Sequence, residues 1–141
     1  MTNESLSEKV LSLLNEKSAK ACALVKQSIL EKKMGIGKVD NAIEQYLSRW
    51  DDTTRPGVLA LACEAVGGNR EEAVPLQTAL LFIDATMDIH DDIIDESTAK
   101  KNRKTIYGKL GKGATLLIGD VFMVRGFNYL HKTLENLPRD R

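Results

Sequence analysis

Asp84–Ser97 reads D-A-T-M-D-I-H-D-D-I-I-D-E-S, an acid-rich segment in an otherwise apolar part of the chain. It sets Asp84, Asp88, Asp91, Asp92, Asp95 and His90 directly after the apolar run Ala79–Ile83. On a helix turning about 100° per residue, Asp84, Asp88, Asp91 and Asp95 fall within about 60° of one another, with Asp92 on the flank. Uncompensated like charges at three- and four-residue spacings destabilise a helix, so this stripe needs a partner. A divalent cation is one answer. Asp91 and Asp95, four apart, could share it, and Mg2+ suits the site because it takes carboxylate oxygens, keeps several waters and bridges to phosphate. The other answer is an acidic helix face neutralised by the lysines and arginines that follow.

Working outward, Glu71 to about Glu96 reads as a central helix. Pro75 is tolerable there only because it lies in the first turns. Leu76, Ala79, Leu80, Leu81, Phe82 and Ile83 are apolar almost all round, which implies burial on several sides. The same helix then carries its aspartates into a cavity or cleft. Ser97–Lys104 reads as a basic loop, followed by a short helix over Thr105–Leu110. A further apolar helix runs from about Gly113 to about Leu137, where Pro138 closes the pattern.

On the N-terminal side, Ser5-Leu-Ser-Glu8 has the form of a capping box, opening an amphipathic helix that continues to about Lys33. Gly35 and Gly37 end it. Val39, Ile43, Tyr46 and Leu47 then share one face of a second, short helix. A polar break, W-D-D-T-T-R-P-G, precedes a helix opened by Pro56 and stopped at Gly67-Gly68. Tyr46 and Trp50 are expected to anchor a helix junction. No segment alternates convincingly enough for a strand, so the fold class is all-α, with residues 1–141 forming one helical domain.

Composition agrees. Apolar residues make up 43% and aromatics only 5%, a balance that favours helices over sheets. The formal net charge of +0 gives no global attraction to nucleic acid or an anionic membrane. No apolar run reaches bilayer-spanning length, and Met1–Lys9 is polar, so the chain reads as soluble and cytoplasmic. Cys22 and Cys63 are isolated and read as buried free thiols rather than a disulfide or zinc set. His90 is expected to pack under the site, and His131 has no evident partner.

Acidic stripe and basic loop together suggest a grip on a diphosphate, since a carboxylate-held cation and flanking lysines both neutralise its oxygens. A solvated loop of Lys100, Lys101 and Lys104 is the plainer reading. Three segments also carry a family resemblance. Ile89-His-Asp-Asp-Ile-Ile-Asp-Glu-Ser97 resembles the first aspartate-rich motif of the trans-type isoprenyl (polyprenyl) diphosphate synthases. Gly119-Asp-Val-Phe-Met-Val-Arg-Gly-Phe127 resembles their downstream Gly-Asp segment. Thr53-Thr-Arg-Pro56, with the Ala/Leu helix and Gly67-Gly68, resembles the segment bearing the homoallylic substrate's basic residues. The matches run in order from about Arg49 to Leu130.

The resemblance implies a truncated antiparallel helix bundle of the isoprenoid synthase type, equivalent to the N-terminal half of such an enzyme. It implies that Asp91, Asp92 and Asp95 hold Mg2+ on an allylic diphosphate, and that isopentenyl diphosphate is the second substrate. Arg55 would hold the isopentenyl diphosphate, while Lys100 and Lys101 stand where the family has an arginine pair. Lysine keeps the charge but loses the bidentate fork. Thr86 and Met87 would line the upper cavity.

Several positions depart from the pattern. The Gly-Lys-Arg run expected before Arg55 reads Asp51-Asp52-Thr53. Asp84 replaces a His or Gln, and Asn102-Arg103-Lys104-Thr105 replaces Gly-x-Pro-Thr. The chain also ends at Arg141, before a second aspartate-rich motif. Three readings follow: the N-terminal half of a prenyltransferase, incomplete alone and either a fragment or one piece of a split enzyme; a non-catalytic partner subunit of a longer synthase; or a helical interaction module. A homo-oligomer, or a hetero-oligomer with a longer homologue, is the expected assembly.

Overall fold

Helix α4, Arg70–Ile94, is the element against which three of the other helices pack. Asn69 caps it by accepting the Glu71 N–H at 2.9 Å, and Glu71 and Glu72 in the first turn complement the helix dipole. Pro75 lies within the helix without stopping it. The computed structural model describes residues 5–50 and 52–135.

Helices α1 (Leu6–Glu31) and α3 (Thr54–Ala65) pack on the first half of α4. The capping box of α1 forms as expected, with Ser5 N donating to Glu8 Oε2 at 2.7 Å and Glu8 N to Ser5 Oγ at 3.3 Å. Its buried stripe is Leu14, Ser18, Ala21, Val25 and Ile29, at helical spacing, while the apolar Leu6, Val10 and Leu13 of its first turns are exposed. Gln77 ties the three helices together: its amide donates to Pro56 O at 2.5 Å and to Lys17 O at 3.1 Å.

Helix α5, Ile106–Glu135, lies along the other side of α4, and α2 (Gly37–Leu47) packs on α5. A break at Gly111 (φ 75°, ψ 178°) divides α5 into a short piece and a long one, close to the division expected between Leu110 and Gly113. Two glycines set the close approach of α5 to α4. At Gly126 a methyl group would lie 3.1 Å from both Phe82 Cβ and Ile83 Cγ1, and at Gly119 it would overlap the His90 ring. Phe82 and Phe122 meet edge-on at 5.9 Å in the core beneath.

The expectation of a chain without strands needs correcting. The basic loop forms a small antiparallel hairpin, β1 (Ala99–Lys100) and β2 (Arg103–Lys104), with Lys100 opposite Arg103. Lys101 and Asn102 make the turn with φ of 48° and 60°, as a type I′ turn requires. Thr105 closes the base, its N–H donating to Thr98 O at 3.0 Å and its hydroxyl to Ser97 O at 2.7 Å. Two-residue strands are too short to show alternation, and Lys-Asn is a weaker turn signal than Asn-Gly.

Cys22 and Cys63 are free but half-buried, less enclosed than expected. His131 does have a partner, Glu135 Oε1 at 3.3 Å one turn on. Among the described residues no helix is long and apolar enough to cross a membrane.

Helix α5 leaves Leu117, Val124, Phe127 and Leu134 more than half exposed along its outer side. Scattered exposed apolar residues are ordinary, but a contiguous row is not. The isolated chain is therefore expected to bind a hydrophobic fluorescent dye such as ANS. Val124→Glu with Phe127→Glu should remove most of that fluorescence; full retention would mean the row is not the exposed surface.

Candidate functional site

The second half of α4 forms one wall of a cleft of about 1020 Å³. It contributes Asp84, Met87, Asp88, Asp91 and Asp92, which recur at the three- and four-residue spacings that share a helix face. The hairpin faces them with Lys100, Lys101, Arg103 and Lys104, and Arg55 enters from the first turn of α3. Tyr46 and Trp50 also line the cleft, their rings stacked at 6.5 Å, with Tyr46 edge-on to Phe122 at 6.2 Å. The junction expected of these two aromatics is thus also part of the cleft lining.

Asp92 is the most enclosed of the acids, its side chain 5% exposed. Burial pushes its carboxyl above the usual carboxylate range, and Lys100 pulls it back. The Lys100 ammonium lies 2.8 Å from Asp88 Oδ1 and 2.8 Å from Asp92 Oδ1. It donates to Asp88, but lies off the hydrogen-bonding direction of Asp92 Oδ1, which is left buried without a donor. Burial opposes the Lys100 charge, yet the two carboxylates outweigh it and hold the ammonium above the ordinary lysine value.

A second cluster occupies the other end. Arg55 pairs with Asp52 Oδ2 at 2.9 Å and with Asp84 Oδ2 at 3.4 Å. Asp84, with its side chain 11% exposed, is raised above the usual carboxylate range by burial, against the pull of Arg55 and with a further push from Asp52. Its Oδ2 also has no hydrogen-bond donor. The guanidinium charge at Arg55 is therefore shared between two acids.

Other expected site residues lie elsewhere. Thr86 is buried at the α4–α5 contact, where its hydroxyl donates to Phe82 O at 3.0 Å and Gly119 O at 3.2 Å, while Met87 next to it is 59% exposed at the cleft wall. Asp95 is the C-cap of α4, exposed, with its N–H on Asp91 O at 2.8 Å, and it does not line the cleft. His90 packs over Gly119, its Nε2 3.3 Å from Leu116 O and 3.6 Å from Asp120 Oδ1.

Sequence reasoning assigned Tyr46 only a packing role. Its hydroxyl is buried and without a hydrogen-bond partner, and burial, reinforced by Asp88, pushes its pKa well up. Arg49 and Lys26 line the cleft too. Cationic side chains thereby outnumber carboxylates along its walls, which suits a ligand bearing several negative charges.

Among the described residues no three His, Cys, Asp or Glu side chains converge as a metal cage. Mg2+ does not need one, because it is commonly held by one or two carboxylates plus substrate phosphates. The donorless buried oxygen of Asp92, beside Asp91 on the same wall, fits that mode.

Comparison with known proteins identifies the family and the fold. Residues 37–139 match the family model described as polyprenyl synthetase. The chain is 30% identical over 121 residues to the octaprenyl diphosphate synthase of Escherichia coli (strain K12), covering 85% of this chain and 38% of that protein. It is 36% identical over 84 residues to the geranylgeranyl diphosphate synthase of Methanosarcina mazei, covering 60% of this chain and 26% of that one. In fold it is similar to a geranylgeranyl pyrophosphate synthetase from the archaeon Geoglobus acetivorans, with a TM-score of 0.66 at 24% identity, covering 86% of this chain and 37% of that chain. The chain thus spans less than two-fifths of the length of each of these relatives. With the family match running from the start of α2 past the end of α5, through the helix and hairpin that carry the cleft's Asp91, Asp92, Lys100, Lys101 and Lys104, this chain belongs to the polyprenyl synthetase family.

Proposed function

We propose that the cleft binds an allylic diphosphate through Mg2+ held by Asp91 and Asp92, with Asp95 a third carboxylate at the helix end, as part of a prenyltransferase that extends the allylic chain with isopentenyl diphosphate. The observation that carries this reading is the cationic hairpin facing the acidic wall of α4 across one cleft. When bound, Mg2+ neutralises the diphosphate as the allylic carbon–oxygen bond breaks. Lys101, Arg103 and Lys104 attract the diphosphate to the mouth, and Met87 offers the prenyl chain an apolar wall. Arg55 serves the isopentenyl diphosphate, with a grip weakened by the two acids that share its charge.

The relatives are more than twice as long as the aligned part. That supports a reaction needing the rest of the fold, whether carried on the same chain or supplied by a partner. A second reading, a non-catalytic partner subunit, is favoured by one observation: Arg55 is held by Asp52 and Asp84.

Calorimetric titration with inorganic diphosphate, with and without Mg2+, tests the main reading. Binding that requires Mg2+ is expected, and its absence would overturn the proposal. Asp84→Asn separates the two readings further. A buried group whose folded pKa is raised contributes stability at low pH that is lost as pH rises through that value. Removing the charge should therefore raise thermal stability at pH 7 by about 1 kcal/mol, and less near pH 4. It should also tighten diphosphate binding by freeing Arg55. Tighter binding supports a substrate role for Arg55, and unchanged binding supports the partner-subunit reading.

A further inference from the structure

Lys100 stands where a cation bound by Asp88 and Asp92 would stand, with its ammonium 2.8 Å from an oxygen of each. Asp92 is almost fully enclosed, so its charge requires a nearby cation at all times. Lys100 supplies one, incompletely. A single ammonium faces two carboxylates, with Asp91 adjacent, and does not hydrogen-bond the buried Asp92 oxygen. One positive charge shared between two carboxylates leaves them with net negative charge, and a divalent ion competes well for such a position.

The backbone makes exchange mechanically simple. Lys100 ends β1 immediately before the Lys101-Asn102 turn, and both turn residues hold left-handed φ values. The hairpin is closed at its base by Thr105 on Thr98 and Ser97, and all four strand residues are exposed. No core side chain of the hairpin has to leave a packed environment for Lys100 to move. Arg55 cannot stand in for it, being occupied by Asp52 and Asp84 at the far end of the cleft.

We propose that Lys100 is a built-in counter-ion of the acidic helix that a divalent cation displaces, so that metal binding and release of the β1–β2 hairpin form one equilibrium. This rests on the reading that Asp91 and Asp92 bind Mg2+. In the metal-free chain Lys100 offsets part of the charge of Asp88 and Asp92. On metal binding the ammonium leaves the carboxylates and becomes available to an anion in the cleft. Because the two cations compete, each weakens the other's hold on the acids.

The test is an NMR titration of the full chain with Mg2+ alone, comparing wild type, Lys100→Met and Lys100→Arg. Lys100→Met should bind Mg2+ about tenfold more tightly than wild type, although no metal ligand has been added. Lys100→Arg, which keeps the charge, should stay near wild type. Lys100→Met should also melt earlier without metal and recover more with it. In wild type, amide exchange of residues 99–104 should accelerate when Mg2+ binds, a readout independent of whether either variant folds. Unchanged or weaker Mg2+ affinity in Lys100→Met, or hairpin exchange indifferent to bound Mg2+, overturns the exchange and leaves the metal reading standing. Absence of Mg2+ binding in wild type and Lys100→Met alike overturns the exchange, whereas the metal reading itself falls only if diphosphate binding is also independent of Mg2+.

Discussion

Asp91→Ala combined with Asp92→Ala is expected to abolish Mg2+-dependent diphosphate binding, a loss of at least about a hundredfold. An Mg2+ ion that takes only one or two protein carboxylates cannot survive the loss of both. Folding should be nearly untouched, because α4 is held by Leu81, Phe82, Ala85 and Ile89, all fully buried, and not by its acids. Removing the enclosed Asp92 carboxylate even relieves a desolvation cost. Circular dichroism should therefore show wild-type helicity beside a flat calorimetric trace. Asp95→Ala should weaken binding much less, since that residue lies beyond the helix end and outside the cleft lining. Wild-type affinity in the Asp91/Asp92 double variant would remove the metal-site proposal.

Phe122→Ala is the largest stability change expected, about 3–5 kcal/mol by urea denaturation. Its ring is fully buried, edge-on to both Phe82 and Tyr46. It thus joins α5 to α4 and to α2, and truncation leaves a cavity that three helices must close together. The loss should also reach the site, because Tyr46 is a wall of the cleft on one side and a neighbour of Phe122 on the other. A variant that loses under about 1 kcal/mol would mean the interior refills around the missing ring.

The sequence was most informative where one element carries its own signals. The Ser5–Glu8 capping box, the apolar spacing of α1, and the Gly111–Gly113 division in α5 need no distant partner to be recognised. The hairpin lacked such a signal, because its strands are two residues long and its turn is written Lys-Asn. A helical wheel grouped Asp95 with Asp91 and put Asp92 at the flank. The structure shows the reverse emphasis, since the wheel carries no record of where the helix stops. The pairing of Arg55 with Asp84 joins residues far apart in the chain. Its only trace was an acid where the resembled pattern has a neutral or basic side chain. The His131–Glu135 pair has the simple four-residue spacing of a helical ion pair, yet sequence reasoning assigned His131 no partner.

The contact between His90 and Gly119 constrains how this protein can drift. The imidazole fills the space that any side chain at position 119 would need, so the two positions share one allotment of volume. A substitution at either alone meets a clash or opens a void, and α5 must shift to accommodate it. Paired exchanges that trade bulk from one helix to the other escape that penalty. A selection for folded chains with both positions randomised should return correlated pairs, large with small, and few combinations drawn independently.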